Sequence, residues 1–337
     1  MRAGGRVRFV HGVTAEPRPA PTRTAEPRGL ARWAAYQRER FPVLAHGPLI
    51  LAFSSGAVCF SALLRARDTA SAGRPSVAPA SLVVAFVSCF LFFFQLRVSD
   101  EVKDFREDAR HRPYRPVPRR LVSLRELQIL ALVGVAFQLA GAVSLSPRLV
   151  APLALVWAFI GLMTKEFWLR AWLAERPVTV LWTHMLVLPL IDLYATACDW
   201  LPADGARDVG PGIAWFLAAS FCNGMVVEIG RKLRAPPDEE RGVRTYTALW
   251  GPRRAVTTWL AVMAATALCA TAAAAHVGAA RLVAALLGAI GLAAVLLGTR
   301  LVASPAAGAG RRLETLAGVW TIALYLGVGV IPFVARR

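Results

Sequence analysis

The chain has 337 residues, of which 56% are hydrophobic, with a mean hydropathy of +0.49 and a formal net charge of +18. A water-soluble core of this size needs less apolar content, so the composition excludes an ordinary soluble enzyme and indicates a membrane protein. The positive charge does not point to nucleic acid, because the basic residues lie in short segments between apolar runs and not on one water-facing surface.

In chain order, residues 1–47 come first, rich in proline and alanine, with nine arginines against three glutamates. They contain no apolar core long enough for a secretory signal, so 1–41 is expected to be a disordered basic head. An organelle transit peptide is the alternative, and the lack of a clear one leans toward a bacterial protein. Apolar runs follow at approximately 48–64, 79–96, 127–145, 149–164, 178–198, 211–229, 255–275, 281–302 and 317–335. At about 1.5 Å per residue most of them span a roughly 30 Å hydrocarbon layer, with 149–164 marginal. Open sheets cannot cross lipid, so the expected fold is all-α: a polytopic membrane bundle of about nine transmembrane helices around a central cavity, one domain over 42–337.

The loops set the orientation. Those after spans two, four, six and eight carry Arg106 to Arg125, Lys165 with Arg170 and Arg176, Arg231 to Arg254, and Arg300 with Arg311 and Arg312. The alternate loops are poorer in positive charge, and the one after span five is acidic, with Asp199, Asp204 and Asp208. Positive residues mark the cytoplasmic side, so the N-terminus and the charged loops are expected there.

The first charged segment reads RVSDEVKDFREDARHRPYRPVPRRLVS from Arg97 to Ser123. Asp100, Asp104 and Asp108 recur at i, i+4, i+8, on one face of a helix that continues out of the second span and drifts by about 40° per step. Neighbouring carboxylates repel and are costly to desolvate, and a divalent cation would relieve both. Oxygen-only ligands favour magnesium, which commonly bridges one or two carboxylates to a phosphate. Arg110, Arg112, Arg115, Arg119 and Arg120 can supply forked donors to phosphate oxygens. The alternative is a solvated helix end whose acids pair with neighbouring arginines.

The second charged segment, Asn223 to Trp250, lies on the same expected face. Asn223 and Glu228 stand near the end of span six, where a polar side chain suggests a lined cavity. Glu228, Arg231 and Lys232 at i, i+3, i+4 can converge on one ligand. Pro236 and Pro237 end the helix and leave Asp238, Glu239 and Glu240 on a turn that either faces the first segment or is simply solvated. Lys165 reads first as a lysine snorkelling to the headgroups, with a diphosphate contact as the alternative. Cys59, Cys89, Cys198, Cys222 and Cys269 read as small apolar residues, and His46, His111, His184 and His276 show no metal-ligand spacing.

These residues resemble the UbiA superfamily of intramembrane prenyltransferases, whose members carry aspartate-rich motifs after the second and sixth of nine helices. The likeness runs from about residue 42 to the end. The family's NDxxDxxxD followed by RP is set against Ser99, Asp100, Asp104 and Asp108, then Arg115 and Pro116, with Ser99 in the place of the asparagine. The family's DxxDxxxDxxxGxxT is set against Glu228, Arg231 at the middle aspartate, several extra residues, then Glu239, Gly242 and Thr245, with Asp238 or Glu240 as substitutes. The resemblance implies Mg²⁺-dependent ionisation of a polyprenyl diphosphate and transfer of the prenyl group to an aromatic or other lipophilic acceptor. Terpene cyclisation without an acceptor is the alternative, and a transporter or anionic-lipid binder a third. It further implies Asp100, Asp104, Asp108, Glu228, Asp238 and Glu239 as metal ligands, with Arg115, Arg231, Lys232 and Lys165 on the diphosphate. Phe90 to Phe94 read as core or lipid-facing packing before tunnel lining. Membrane lipids are expected partners, and no protein partner is predicted.

Overall fold

A computed structural model describes residues 27–68, 74–203, 210–240 and 242–336. Its helices are α1 (Leu30–Arg40), α2 (Val43–Asp68), α3 (Pro79–His111), α4 (Leu124–Leu145), α5 (Val150–Thr164), α6 (Arg170–Ala174), α7 (Pro177–Met185), α8 (Val187–Trp200), α9 (Pro211–Gly230), α10 (Tyr246–Trp250), α11 (Pro252–Ala275), α12 (Ala280–Ala303), α13 (Ala309–Tyr325) and α14 (Ile331–Val334). No strand occurs among the described residues. Nine helical stretches among them are long and apolar enough to cross a membrane, and they coincide with the nine apolar runs.

Local chemistry accounts for many of the boundaries. Prolines open α3, α7, α9 and α11, in the first turn where a missing N–H leaves no bond unmade. Ser123 and Glu126 form a reciprocal capping box at the start of α4. The fifth span is two helices, α7 and α8, where one was expected. Pro189 has no N–H to give the Met185 carbonyl, and the break falls between them. The ninth span starts at Ala309, earlier than its apolar run, because Arg311, Arg312 and Glu314 extend the helix into the headgroup region.

The main core joins α2, α8, α9, α11 and α13, with Phe53, Trp259, Trp320 and Tyr325 fully enclosed. Gly56 of α2 and Gly329, in the π-helical turn Leu326–Val330, bring two backbones into contact; a Cβ on Gly329 would collide with Gly56. A smaller cluster of Tyr36, Val98, Val117, Val122 and Leu127 lies under the first charged loop. It holds α1 in place, so residues 30–40 are helical where a disordered head was expected. Residues 1–26, like Asp204 and Asp208, lie outside the described residues.

The charged loops gather at one end of the bundle. Arg170 donates to the Lys103 carbonyl (3.1 Å), Arg244 to that of Ala174 (2.6 Å), and Tyr114 to Glu240 (3.3 Å). The Gly308 N–H meets Asp238 (2.7 Å), and Arg40 pairs with Glu101. At the other end Arg65 binds Asp199 through two bonds of 2.7 and 2.8 Å, and Arg67 reaches the His276 carbonyl.

Candidate active site

Helix α3 is 33 residues long, about 50 Å at 1.5 Å per residue, and so outruns the hydrocarbon layer. Its last turns carry the acid ladder. Asp100 lies between Arg97 (3.5 Å) and Lys103 (3.3 Å). Asp104, one turn on, has no ion-pair or hydrogen-bond partner among the described residues. Asp108 is buried and fully engaged, one oxygen with Arg112 (3.1 Å) and the other with Arg115 (2.6 Å). That clasp folds the chain back after α3 and fixes the loop.

From α9, Glu228 receives Arg231 (2.5 Å) and Lys232 (2.7 Å), the convergence expected from their spacing. The Glu228 carboxylate holds the Arg231 guanidinium above the usual arginine range against the opposing effect of burial, and the charge of Asp100 adds to the effect. Arg231 therefore lies within electrostatic reach of both acidic segments. Lys232 also stands over the Tyr246 ring (5.6 Å), and burial followed by the Glu228 charge raises that phenol. Asn223 accepts from Thr321 (3.2 Å), which satisfies it by helix packing.

The acidic turn after α9 faces the first loop, but each carboxylate is already bonded. Asp238 accepts the Gly308 N–H, Glu239 the hydroxyls of Thr245 and Thr247 (2.6 and 2.8 Å), and Glu240 the Tyr114 hydroxyl. Gly242, at φ +76°, lies so close to His111 that a Cβ would strike the ring. Lys165 is exposed and pairs with no carboxylate among the described residues. It precedes a turn in which Glu166, Phe167 and Trp168 all have positive φ (49°, 53° and 57°), costing roughly 1–2 kcal/mol each. Arg170 and Arg244 tie this strained segment to both loops.

No three acidic, histidine or cysteine side chains stand together as a preformed metal cage among the described residues. Magnesium does not require one, since it keeps several waters and takes one or two carboxylates plus a phosphate. Asp100 and Asp104, with oxygen donors one turn apart, fit that requirement. Phe90 and Phe94 meet Phe41, Phe92 meets Tyr194 and Phe93 meets Phe53, all as core packing.

Counting NDxxDxxxD back from Asp108 places Asp104 and Glu101 at the two earlier aspartates and Asp100 at the asparagine, one residue away from the register set with Ser99. Glu101 thus stands as a glutamate where the family pattern has an aspartate. It is buried, with Arg40 as its partner. Ser99 instead bonds Thr164 (2.7 Å) and joins α3 to α5. Likewise DxxxGxxT, counted from Gly242 and Thr245, falls on Asp238 and not on Glu239.

Known structures share the fold. The apo structure of a UbiA homologue from Aeropyrum pernix K1 has a TM-score of 0.60 at 17% identity, covering 83% of this chain and 96% of that one. A UbiA homologue from Archaeoglobus fulgidus, solved bound to GPP and Mg²⁺, has a TM-score of 0.55 at 13% identity, covering 87% and 99%. A structure concerning digeranylgeranylglyceryl phosphate synthase in membranes has 0.54 at 11%, covering 90% and 99%. No curated protein sequence matches at a significant level. The family description "UbiA prenyltransferase family" matches residues 57–313, which takes in both charged loops. This multi-pass membrane protein belongs to the UbiA prenyltransferase family.

Proposed function

We propose that the chain is a Mg²⁺-dependent intramembrane prenyltransferase that ionises a polyprenyl diphosphate and transfers the prenyl group to an aromatic or other lipophilic acceptor. The observation that carries this reading is a pair of charge groups, Asp100–Lys103–Asp104 on α3 and Glu228–Arg231–Lys232 at the end of α9, with Asp100 and Arg231 within electrostatic reach of each other. The Archaeoglobus fulgidus homologues solved with GPP or DMAPP and Mg²⁺ support the same substrate class. In this reading the catalytic domain spans 42–337 and lies in a bacterial cytoplasmic membrane, with the charged loops in the cytoplasm.

Arg231 and Lys232 hold the diphosphate and stabilise the charge that grows on it as the C–O bond breaks. Lys165, and Arg115 once it leaves Asp108, are further candidates to contact the diphosphate. Asp100, Asp104 and Glu228 are the first candidates for Mg²⁺, which when bound supplies further charge neutralisation on the leaving group. Asp104 can bind the ion without losing a partner among the described residues, whereas Asp100 and Glu228, like Asp108, Asp238 and Glu239, would first release theirs. The apolar bundle keeps water from the allylic cation until the acceptor attacks.

The test is diphosphate release by the detergent-purified chain, with and without Mg²⁺, on polyprenyl diphosphates of several lengths, with products identified by mass spectrometry. Release that depends on a membrane lipid extract supports transfer. A cyclised product formed without acceptor overturns transfer in favour of cyclisation. No Mg²⁺-dependent release under any condition overturns the enzymatic reading.

A further inference from the structure

On the charged face, outside the residues assigned to catalysis, a cavity of about 420 Å³ opens between the start of α1 and the loop before α4. Four arginines line it: Arg28, Arg32, Arg119 and Arg120. Two are balanced by carboxylates, Arg32 by Glu126 (2.5 Å) and Arg119 by Glu39 (2.8 Å). Arg28 and Arg120 pair with no carboxylate among the described residues, so among these residues two positive charges at the cavity stand unpaired.

Three further observations favour a bound anion at headgroup depth. Arg120 holds φ at +63°, a conformation that glycine or asparagine adopts at lower cost, yet an arginine stands there. The cavity sits beside Ser123, the cap of a membrane-crossing helix, which places it at the level of the lipid headgroups. Leu30, next in the chain to Gly29 of its lining, is 87% exposed, suited to a surface lined by acyl chains.

We propose that this cavity is an anion site for a phosphate-bearing group, whether the headgroup of an anionic phospholipid in the adjoining leaflet or free phosphate from water. Guanidinium forks match phosphate oxygens through paired charge-assisted hydrogen bonds. The site does not depend on the catalytic reading and would exist in an inactive chain.

The test compares the full chain with Arg28→Gln/Arg120→Gln, and with Arg148→Gln on the opposite face as a control. In one arm each protein is reconstituted in POPC–POPG vesicles, extracted, and its retained POPG counted by native mass spectrometry. In the other, binding of inorganic phosphate is titrated in detergent without lipid. An arginine at an anionic surface contributes roughly fivefold, so the double substitution is expected to weaken binding by about 25-fold. Loss confined to POPG identifies the lipid headgroup, and loss of inorganic phosphate identifies the soluble source. Equal binding by all three proteins in both arms overturns the site. If the double variant does not fold, the wild type decides: preference for POPG over POPC that falls with added salt, or phosphate binding, supports the site, and the absence of both overturns it.

Discussion

Asp104 and Asp108 lie one turn apart on the same face of α3, yet their surroundings give them different work. Asp104 has no partner to lose among the described residues, so Asp104→Ala is expected to leave the thermal melt in detergent unchanged while cutting Mg²⁺-dependent diphosphate release by about a hundredfold. An unchanged rate would remove Asp104 from the proposed site. Asp108 holds two arginines in a buried position, and Asp108→Asn removes the charge both of them need. After allowance for the partial exposure of those arginines, the loss is expected to be about 2 kcal/mol, read as a lower melting temperature. Identical melts for Asp108→Asn and wild type would show that the clasp contributes nothing. The ladder was legible in the sequence from its spacing alone. The difference between its rungs was not, because spacing alone does not say that Asp108 closes on Arg112 and Arg115 while Asp104 takes no partner among the described residues.

At the scale of elements, α1 is the piece the sequence concealed. LARWAAYQRER has no side-chain cap, no acidic residue in its first turn and a strongly polar composition, so it reads as a continuation of the basic head. Its helicity comes from tertiary contacts: Tyr36 enters the small core beneath the first loop, and Arg32, Glu39 and Arg40 each pair with a charge elsewhere in the chain. The Arg40–Glu101 pair is the critical one, since the Glu101 side chain is only 1% exposed. Arg40→Ala leaves that carboxylate buried without its cation and is expected to cost several degrees of melting temperature. Adding Glu101→Gln should recover part of the loss, and a double variant no more stable than the single would argue against direct coupling. The register of the first motif is hidden for a related reason: a glutamate in an aspartate's place carries no signal in sequence and becomes conspicuous only beside its partner Arg40.

Across the whole molecule, the nine spans and their alternating loops were readable because lipid imposes one strong rule, that backbone polar groups be satisfied within helices. The closeness of the charged loops was readable too, from positive charge recurring in every second loop. The bonds of the acidic turn were not, because Gly308 and Tyr114 are distant in sequence and neither they nor the nearby Thr247 carry a pattern that announces a carboxylate. The sidedness has a direct check. Single cysteines placed at Arg120 and Ala306 should react with an impermeant maleimide from one side of sealed vesicles, and one placed at Ala275 from the other. Labelling of all three from the same side would break the nine-span arrangement.

Helix α3 runs without interruption from Pro79 to His111, so its acidic end cannot be set independently of its apolar end. The height of Asp100 and Asp104 above the acyl chains is therefore fixed by how the Pro79–Leu96 stretch settles into the surrounding lipid. A rigid rod of this kind makes the bilayer itself a determinant of turnover: in vesicles of stepped acyl-chain length, thickness mismatch that tilts α3 shifts its carboxylates against Arg231 and Lys232.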